Sequence, residues 1–205
     1  MVEALVVVAI LISAFLLLLL LLPALARSKG GPGPITCLGN LIQIGISVRI
    51  CQDDNNGKFP MNVPVAQGGT RELLAAGNVV AAFQVMSNEL GMPKILVCPQ
   101  DSQHFAATNF AVGFSQMNLS YFLALNASES DPKSILCGDD NLIQNGRAVS
   151  PGILNLSIPP ATWTSDRHHG AGNILLVDGS AQAEVRIGAP PPLGAGFATN
   201  RIVIP

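Results

Sequence analysis

The sequence predicts an α+β protein in which a long apolar N-terminal helix, broken by a Gly/Pro segment, leads into an amphipathic second helix packed on an antiparallel β-sheet head. Three observations predict it. Residues 4–26 form an apolar run interrupted only by Ser13 and Pro23. Ser28-Lys29-Gly30-Gly31-Pro32-Gly33-Pro34 then removes backbone donors and raises the ordering cost, so a helix must break there. Beyond it, one amphipathic stretch gives way to short apolar segments separated by turn residues, the pattern of strands. The expected divisions are an apolar filament-core or transmembrane helix over 1–27, a non-helical linker over 28–34, and a globular head over 35–205 that includes the amphipathic helix 35–53.

The apolar run would be about 34 Å long as a helix, enough to span a bilayer core of about 30 Å. Its one carboxylate, Glu3, stands at the outer end. A cleavable signal peptide needs a positive start, which Glu3 replaces. An ordinary membrane anchor gives no reason for an acid at the lip of the apolar run, where burial is costly. A processed N-terminus is the third reading.

From Ile35 the apolar residues Cys37, Leu38, Leu41, Ile44, Val48 and Cys51 recur at three- and four-residue steps, which predicts the amphipathic helix. Asp53-Asp54-Asn55-Asn56-Gly57 ends it, with Gly57 as a left-handed stop and Pro60 beyond. The acidic pair lacks the spacing and closing glutamate of an EF-hand, so no metal is assigned there. A second helix is expected over Thr70 to Leu90, with Gly77-Asn78 as an interruption.

Ile95 to Pro99 reads as a short strand, Gln100 to Thr108 as a loop, and Ser120 to Leu125 and Ser134 to Gly138 as further strands. Asn173 to Val177 and Ser180 to Val185 flank Asp178-Gly179, a two-residue signal that suits a type I′ hairpin. Arg201 to Ile204 is expected as an edge strand or a flap.

The chain has 205 residues and a net charge of -2, without a Lys/Arg cluster, which excludes nucleic acid as a partner. Four cysteines, Cys37, Cys51, Cys98 and Cys137, show no C-x-x-C spacing, which argues against a zinc ribbon or a thioredoxin motif. Behind a membrane-targeting segment an even number suggests disulfides, the alternative being buried free thiols. Cys37 and Cys51 would stand about 21 Å apart on one helix and cannot bond to each other. Two pairings therefore remain open: Cys37–Cys98 with Cys51–Cys137, or Cys37–Cys137 with Cys51–Cys98.

Val2-Glu3-Ala4-Leu5-Val6-Val7-Val8-Ala9-Ile10-Leu11-Ile12 resembles the start of type IV pilins and type II secretion pseudopilins. The resemblance implies cleavage by a prepilin peptidase before the apolar stretch, frequently with methylation of the new amine. It also implies that Glu3 neutralises the N-terminal amine of a neighbouring subunit, which makes Met1 and Glu3 the subunit-assembly residues. The physics agrees, since a carboxylate among packed apolar helices is tolerable only if paired. The surroundings of Cys37 and the Cys98-Pro99-Gln100-Asp101 segment look like a helix cysteine and C-P-x-D loop of one pseudopilin subgroup. By that resemblance the pairing is Cys37–Cys98, with Cys51–Cys137 as an additional bridge.

His168, separated by nine residues from Asp178-Gly179, is similar to the H-x9-DG motif of a pilin-like subgroup, a motif of unknown role. As chemistry, His168, His169 and Asp178 are candidate zinc ligands. The simpler expectation is that His168 hydrogen-bonds a loop carbonyl and Asp178 forms the hairpin turn. No G-x-S-x-G and no phosphate-cradling loop occurs, so neither an enzyme nor a cofactor is expected. Asn118, Asn126 and Asn155 begin Asn-x-Ser sequons, with Asn126 best placed for a glycan.

The reading is a structural subunit of an extracellular type IV pilus-like filament, held in the inner membrane before assembly and polymerising through its N-terminal helix. Its expected partners are copies of itself, the prepilin peptidase and the pilus or secretion assembly machinery. A minor pseudopilin of a secretion pseudopilus is the alternative in the same class. A membrane-anchored periplasmic binding or metal module is the alternative in another.

Overall fold

A computed structural model describes residues 2–3, 6–8, 10–13, 15–17, 34–156, 161–185 and 201–205. The chain divides into two units, Met1–Gly33 and Pro34–Pro205.

In the first unit the described residues are helical and every one of their side chains is exposed. The fold expected from the sequence is corrected here. Among the described residues no helix is long and apolar enough to cross a membrane. From residue 55 onward the described fold is mostly antiparallel sheet with short helices, in place of one organised by a long apolar helix. The physical reason is that the short apolar segments after Pro34 bury themselves by antiparallel pairing with partners distant in sequence, which composition alone does not show. Met1 and residues 18–33, and with them most of the expected linker, lie outside the described residues.

The second unit opens with α1 (Pro34–Asp54), the one described helix longer than seven residues. It starts at Pro34, inside the stretch expected to be non-helical, because proline's fixed φ suits a first helical position. Cys37, Leu41, Ile44, Val48 and Cys51 form its buried face, while Ile42, Ile46 and Ile50 at four-residue steps stay exposed. Its end is closed by Gly57, whose N–H donates to Gln52 O at 3.0 Å with φ at +78°.

The single helix expected over Thr70 to Leu90 is three: α2 (Arg71–Ala75), α3 (Val79–Val85) and α4 (Ser87–Leu90). Gly77 adopts a φ of +76°, which breaks the helix, and Asn78 caps the next by accepting from Ala81 N at 3.0 Å. The strand expected at Ile95 to Pro99 is a 3-10 turn over Pro93–Leu96. Proline at the head of that turn removes a ladder donor, leaving a lone sheet-like bond from Ser120 N to Leu96 O.

The strands are β1 (Tyr121–Ala124), β2 (Ile135–Asp139), β3 (Leu142–Gln144), β4 (Arg147–Ala148), β5 (Gly152–Asn155), β6 (Thr162–Trp163), β7 (Gly172–Leu176), β8 (Ala181–Val185) and β9 (Arg201–Ile204). A six-stranded sheet runs β5-β9-β1-β2-β7-β8 and a three-stranded one β4-β3-β6, and every pairing is antiparallel. β9 lies between β5 and β1, which corrects its expected place at an edge.

Alternation assigns the faces of the large sheet. Tyr121, Leu123, Leu175 and Val203 enter the core shared with α1 and α3. Phe122, Ile174, Leu176, Ile202 and Ile204 enter a second core with Leu142 and Trp163 of the small sheet. The large sheet is therefore the middle layer, and that explains why β1, β2 and β7 are buried at every position. Two glycines allow close approach: a Cβ on Gly45 would stand 2.2 Å from a Leu175 methyl, and one on Gly172 would meet the Trp163 ring at 2.5 Å.

The β7–β8 hairpin also differs from expectation. Gly179 N donates to Leu176 O at 2.9 Å and Leu176 N to Ser180 O at 3.0 Å, so the loop has three residues. Gly179 alone takes the left-handed conformation, at φ +85°. This is a type I turn followed by a left-handed glycine, in place of type I′.

Candidate functional site

Residues 167–170 link β6 to β7 through a left-handed turn. His168, His169 and Gly170 have φ of +49°, +55° and +80° in succession, a conformation that costs a non-glycine residue of order 1–3 kcal/mol. The turn separates the two histidines: His168 is buried and His169 exposed. It also aims the flanking side chains at two adjacent buried clusters.

The first cluster surrounds His168. Asp139, the last residue of β2, accepts at Oδ2 from Asn173 N at 2.7 Å and Asn173 Nδ2 at 2.9 Å. His168 Nε2 lies 3.2 Å from the same oxygen and 3.5 Å from Cys98 Sγ. Cys98 is joined to Cys37 of α1 by a disulfide, with the Cα atoms 5.0 Å apart. The donor atoms of Cys37, Cys98 and His168 all lie within 4.8 Å of one another, but in the disulfide both sulfurs are engaged. Tyr121 stands alongside, accepting from Asn40 Nδ2 at 3.3 Å. Burial, reinforced by Asp139, raises its hydroxyl well above the ordinary tyrosine value.

The second cluster surrounds Arg167. Its Nη1 lies 3.1 Å from Asp101 Oδ2 and donates to Ser120 O at 3.3 Å, while Nη2 pairs with Asp140. Asp101 also accepts from Ser120 Oγ at 2.7 Å and from Gln103 N at 2.9 Å, and His104 Nδ1 lies 2.7 Å from its Oδ2. Burial opposes the ionisation of Asp101, but the His104 hydrogen bond, the Arg167 charge and the Ser120 hydroxyl outweigh it and hold the carboxyl well below its usual range. The bond to Asp101 in turn raises His104. For Asp140 burial dominates and raises the carboxyl despite Arg167. A cavity of about 320 Å³ opens over this cluster, lined in part by Asp101, His104, Asp140, Asn141, Asp166 and Arg167. Within it each formal charge of Asp101, Asp140 and Arg167 already has a partner, so the cluster ties the 98–104 loop to the ends of β1 and β2.

The other expected site residues are dispersed. Cys51 and Cys137 are free, buried thiols, so the second bridge is absent from this structure. Burial first, then the nearby Glu89 charge, raises Cys51 to about 12; burial and Asp139 raise Cys137 further. Asp178 does not meet His168. The two flank opposite ends of β7, whose five residues at about 3.3 Å each keep them on the order of 15 Å apart. Asp178 accepts from Ser180 N at 2.8 Å and pairs with Lys133 Nζ at 2.7 Å, and Lys133 followed by Ser180 holds its carboxyl below the usual range. A zinc site joining His168, His169 and Asp178 is thereby excluded.

The hydrogen-bond partner expected for His168, a loop carbonyl, is replaced by the Asn173 amide, whose Nδ2 lies 3.0 Å from His168 Nε2, with Asp139 Oδ2 beside it at 3.2 Å. Asn118 is 1% exposed, and its amide donates to Phe105 O at 2.9 Å, so no glycan fits there in the folded chain. Asn126 and Asn155 are exposed, as is Glu3, while Met1 lies outside the described residues. Sequence reasoning assigned no role to Asp139, Asp140, Asn173 or Arg167. Arg167 stood directly beside the histidine motif, and that adjacency was the available signal.

Compared with protein-family models, with curated proteins and with solved structures, the chain matches nothing.

Proposed function

We propose that this chain is a structural subunit of an extracellular type IV pilus-like filament, resident in the inner membrane before assembly and packed against copies of itself afterwards. The carrying observation is in the unit Met1–Gly33. Its described large apolar side chains, from Val2 at 75% to Leu17 at 61%, are exposed, and Val8, the least exposed of them, still shows 51%. Each such side chain left in water forgoes about 1.5–3 kcal/mol, and a contiguous apolar surface of this kind marks a membrane or protein contact. Lipid covers it first, and the same segment of neighbouring copies covers it in the filament. Glu3 then answers the amine carried by Met1 of a neighbour, and the prepilin peptidase and assembly machinery act on that segment.

The head's role is structural in this reading. Ser120 donates its hydroxyl to Asp101, and Cys98, the sulfur beside His168, is held in a disulfide. Neither is presented as a nucleophile, and His168 at 3% exposure leaves a substrate no place.

Shearing cells that produce the chain, followed by electron microscopy, tests the reading. Long fibres containing it are expected. Recovery solely as a detergent-extracted monomer rejects it. Glu3→Ala is expected to reduce fibre yield at least tenfold, and normal assembly of that variant removes the role given to Glu3.

A further inference from the structure

The imidazole of His168 faces two sulfurs, a carboxylate and the side-chain amide of Asn173, whose Nδ2 lies 3.0 Å from Nε2. Its Nε2 lies 3.5 Å from Cys98 Sγ and 3.2 Å from Asp139 Oδ2, and Cys37 Sγ completes a trio of buried donor atoms within 4.8 Å. The other carboxylate oxygen of Asp139, Oδ1, has no hydrogen-bond partner although the residue is 0% exposed. An unshared oxygen on a buried carboxylate is costly, and a cation beside it relieves that cost. Independently, two consecutive non-glycine residues accept left-handed backbone to carry this imidazole inward, strain of the kind found where function fixes a side chain.

We propose that reduction of the Cys37–Cys98 disulfide opens a tetrahedral site for a divalent transition cation, zinc before others, held by the two thiolates, His168 Nε2 and the Asp139 carboxylate. Two sulfurs, one imidazole and one carboxylate are donors zinc accepts in four-coordinate sites, at about 2.0–2.3 Å. Donor atoms at the corners of such a tetrahedron lie roughly 3.3–3.8 Å apart; His168 Nε2 already stands 3.5 Å from Cys98 Sγ and 3.2 Å from Asp139 Oδ2, and Asp139, outside the trio of Cys37, Cys98 and His168, closes the fourth corner by turning its carboxylate toward the sulfurs. Asn173, bonded twice to Asp139, orients that carboxylate from the outer shell.

The chemistry balances with a dithiol as reductant. Its two sulfurs join in a new disulfide, the Cys37–Cys98 bond accepts the two electrons and breaks, and the two protons pass to the cysteines. Zinc then displaces those protons to solvent. The consequence is that α1 and the Cys98 segment are clamped in both redox states, covalently when oxidised and through the metal when reduced. The inference is independent of the filament reading.

The full chain, reduced anaerobically with a dithiol that is then removed, is titrated with cobalt. One equivalent is expected to produce thiolate-to-cobalt charge-transfer absorption with the intense visible bands of tetrahedral coordination, to be displaced by zinc, and to be absent from the oxidised chain. His168→Ala is expected to weaken zinc binding at least tenfold in the reduced state, and Asp139→Asn, which keeps the shape, to weaken it as well. Absence of cobalt binding by the reduced wild-type chain overturns the proposal, whatever the variants do. So does affinity unchanged in both variants, or a signal abolished by Cys51→Ala with Cys137→Ala while the oxidised double variant melts as the wild type does.

Discussion

Arg167 Nη1 lies 3.1 Å from Asp101 Oδ2, and neither side chain is more than 7% exposed. The pair joins the loop after Cys98 to the turn before β7, and Asp140 completes it on the other side. Removing one member of such a pair strands a buried charge. Arg167→Met is expected to destabilise the head by about 3–5 kcal/mol, read as the free energy of urea unfolding. A loss below about 1 kcal/mol would show that water reaches Asp101 freely.

His104 makes that network depend on pH. Its folded value is raised by Asp101, so its contribution is fully present below the unfolded value of about 6.5 and disappears as pH rises through the folded one. Asp101 behaves oppositely: its value is lowered, so its contribution holds above about 3.9 and is lost as pH falls toward the folded value. The melting temperature should therefore decline as pH rises above about 6.5. His104→Asn should flatten that decline and leave the acid limb in place. An identical decline in the variant assigns it to another group.

The Cys37–Cys98 bridge closes a loop with a sequence separation of 61. The chain-entropy relation gives it about 4 kcal/mol. Cys37→Ser in metal-free buffer is expected to lose about that much by chemical denaturation, and Cys51→Ala much less, since Cys51 carries no bridge.

Glycines separate close packing from open space. Gly172→Ala would drive a methyl to within 2.5 Å of the Trp163 ring, and overpacking of this kind costs about 1–3 kcal/mol. Gly39, inside α1, has nothing within 4 Å of an added Cβ. Gly39→Ala is expected to stabilise by about 0.5–1 kcal/mol. Equal effects of the two substitutions on the melting temperature would contradict the packing described.

The parts of this fold legible in the sequence are those that local chemistry determines. The three- and four-residue recurrence from Cys37 to Cys51 marks α1, and Gly57 marks its stop, because each rule acts within a few residues. β1, β2, β7 and β8 fall where apolar segments alternate with turn residues. The misread parts depended on partners distant in sequence. Ile95 to Pro99 has the composition of a strand but lacks a neighbour to pair along its length. Arg201 to Ile204 reads as an edge until β5 and β1 are seen to flank it. The histidine motif carried a similar ambiguity: its spacing shows that His168 and Asp178 bracket one strand and says nothing of Asp139, Asn173 or Cys98, which come from other elements.

The place of β9 also orders events in time. β1 and β5 each keep an unpaired inner edge until residues 201–204 arrive. With about 80 residues between Ala124 and Ile204 and synthesis at about 5–20 residues per second, roughly 4–16 s pass on the ribosome before the gap can close. During that interval β1 presents an open strand edge, and whatever escorts the chain must keep other strands off it.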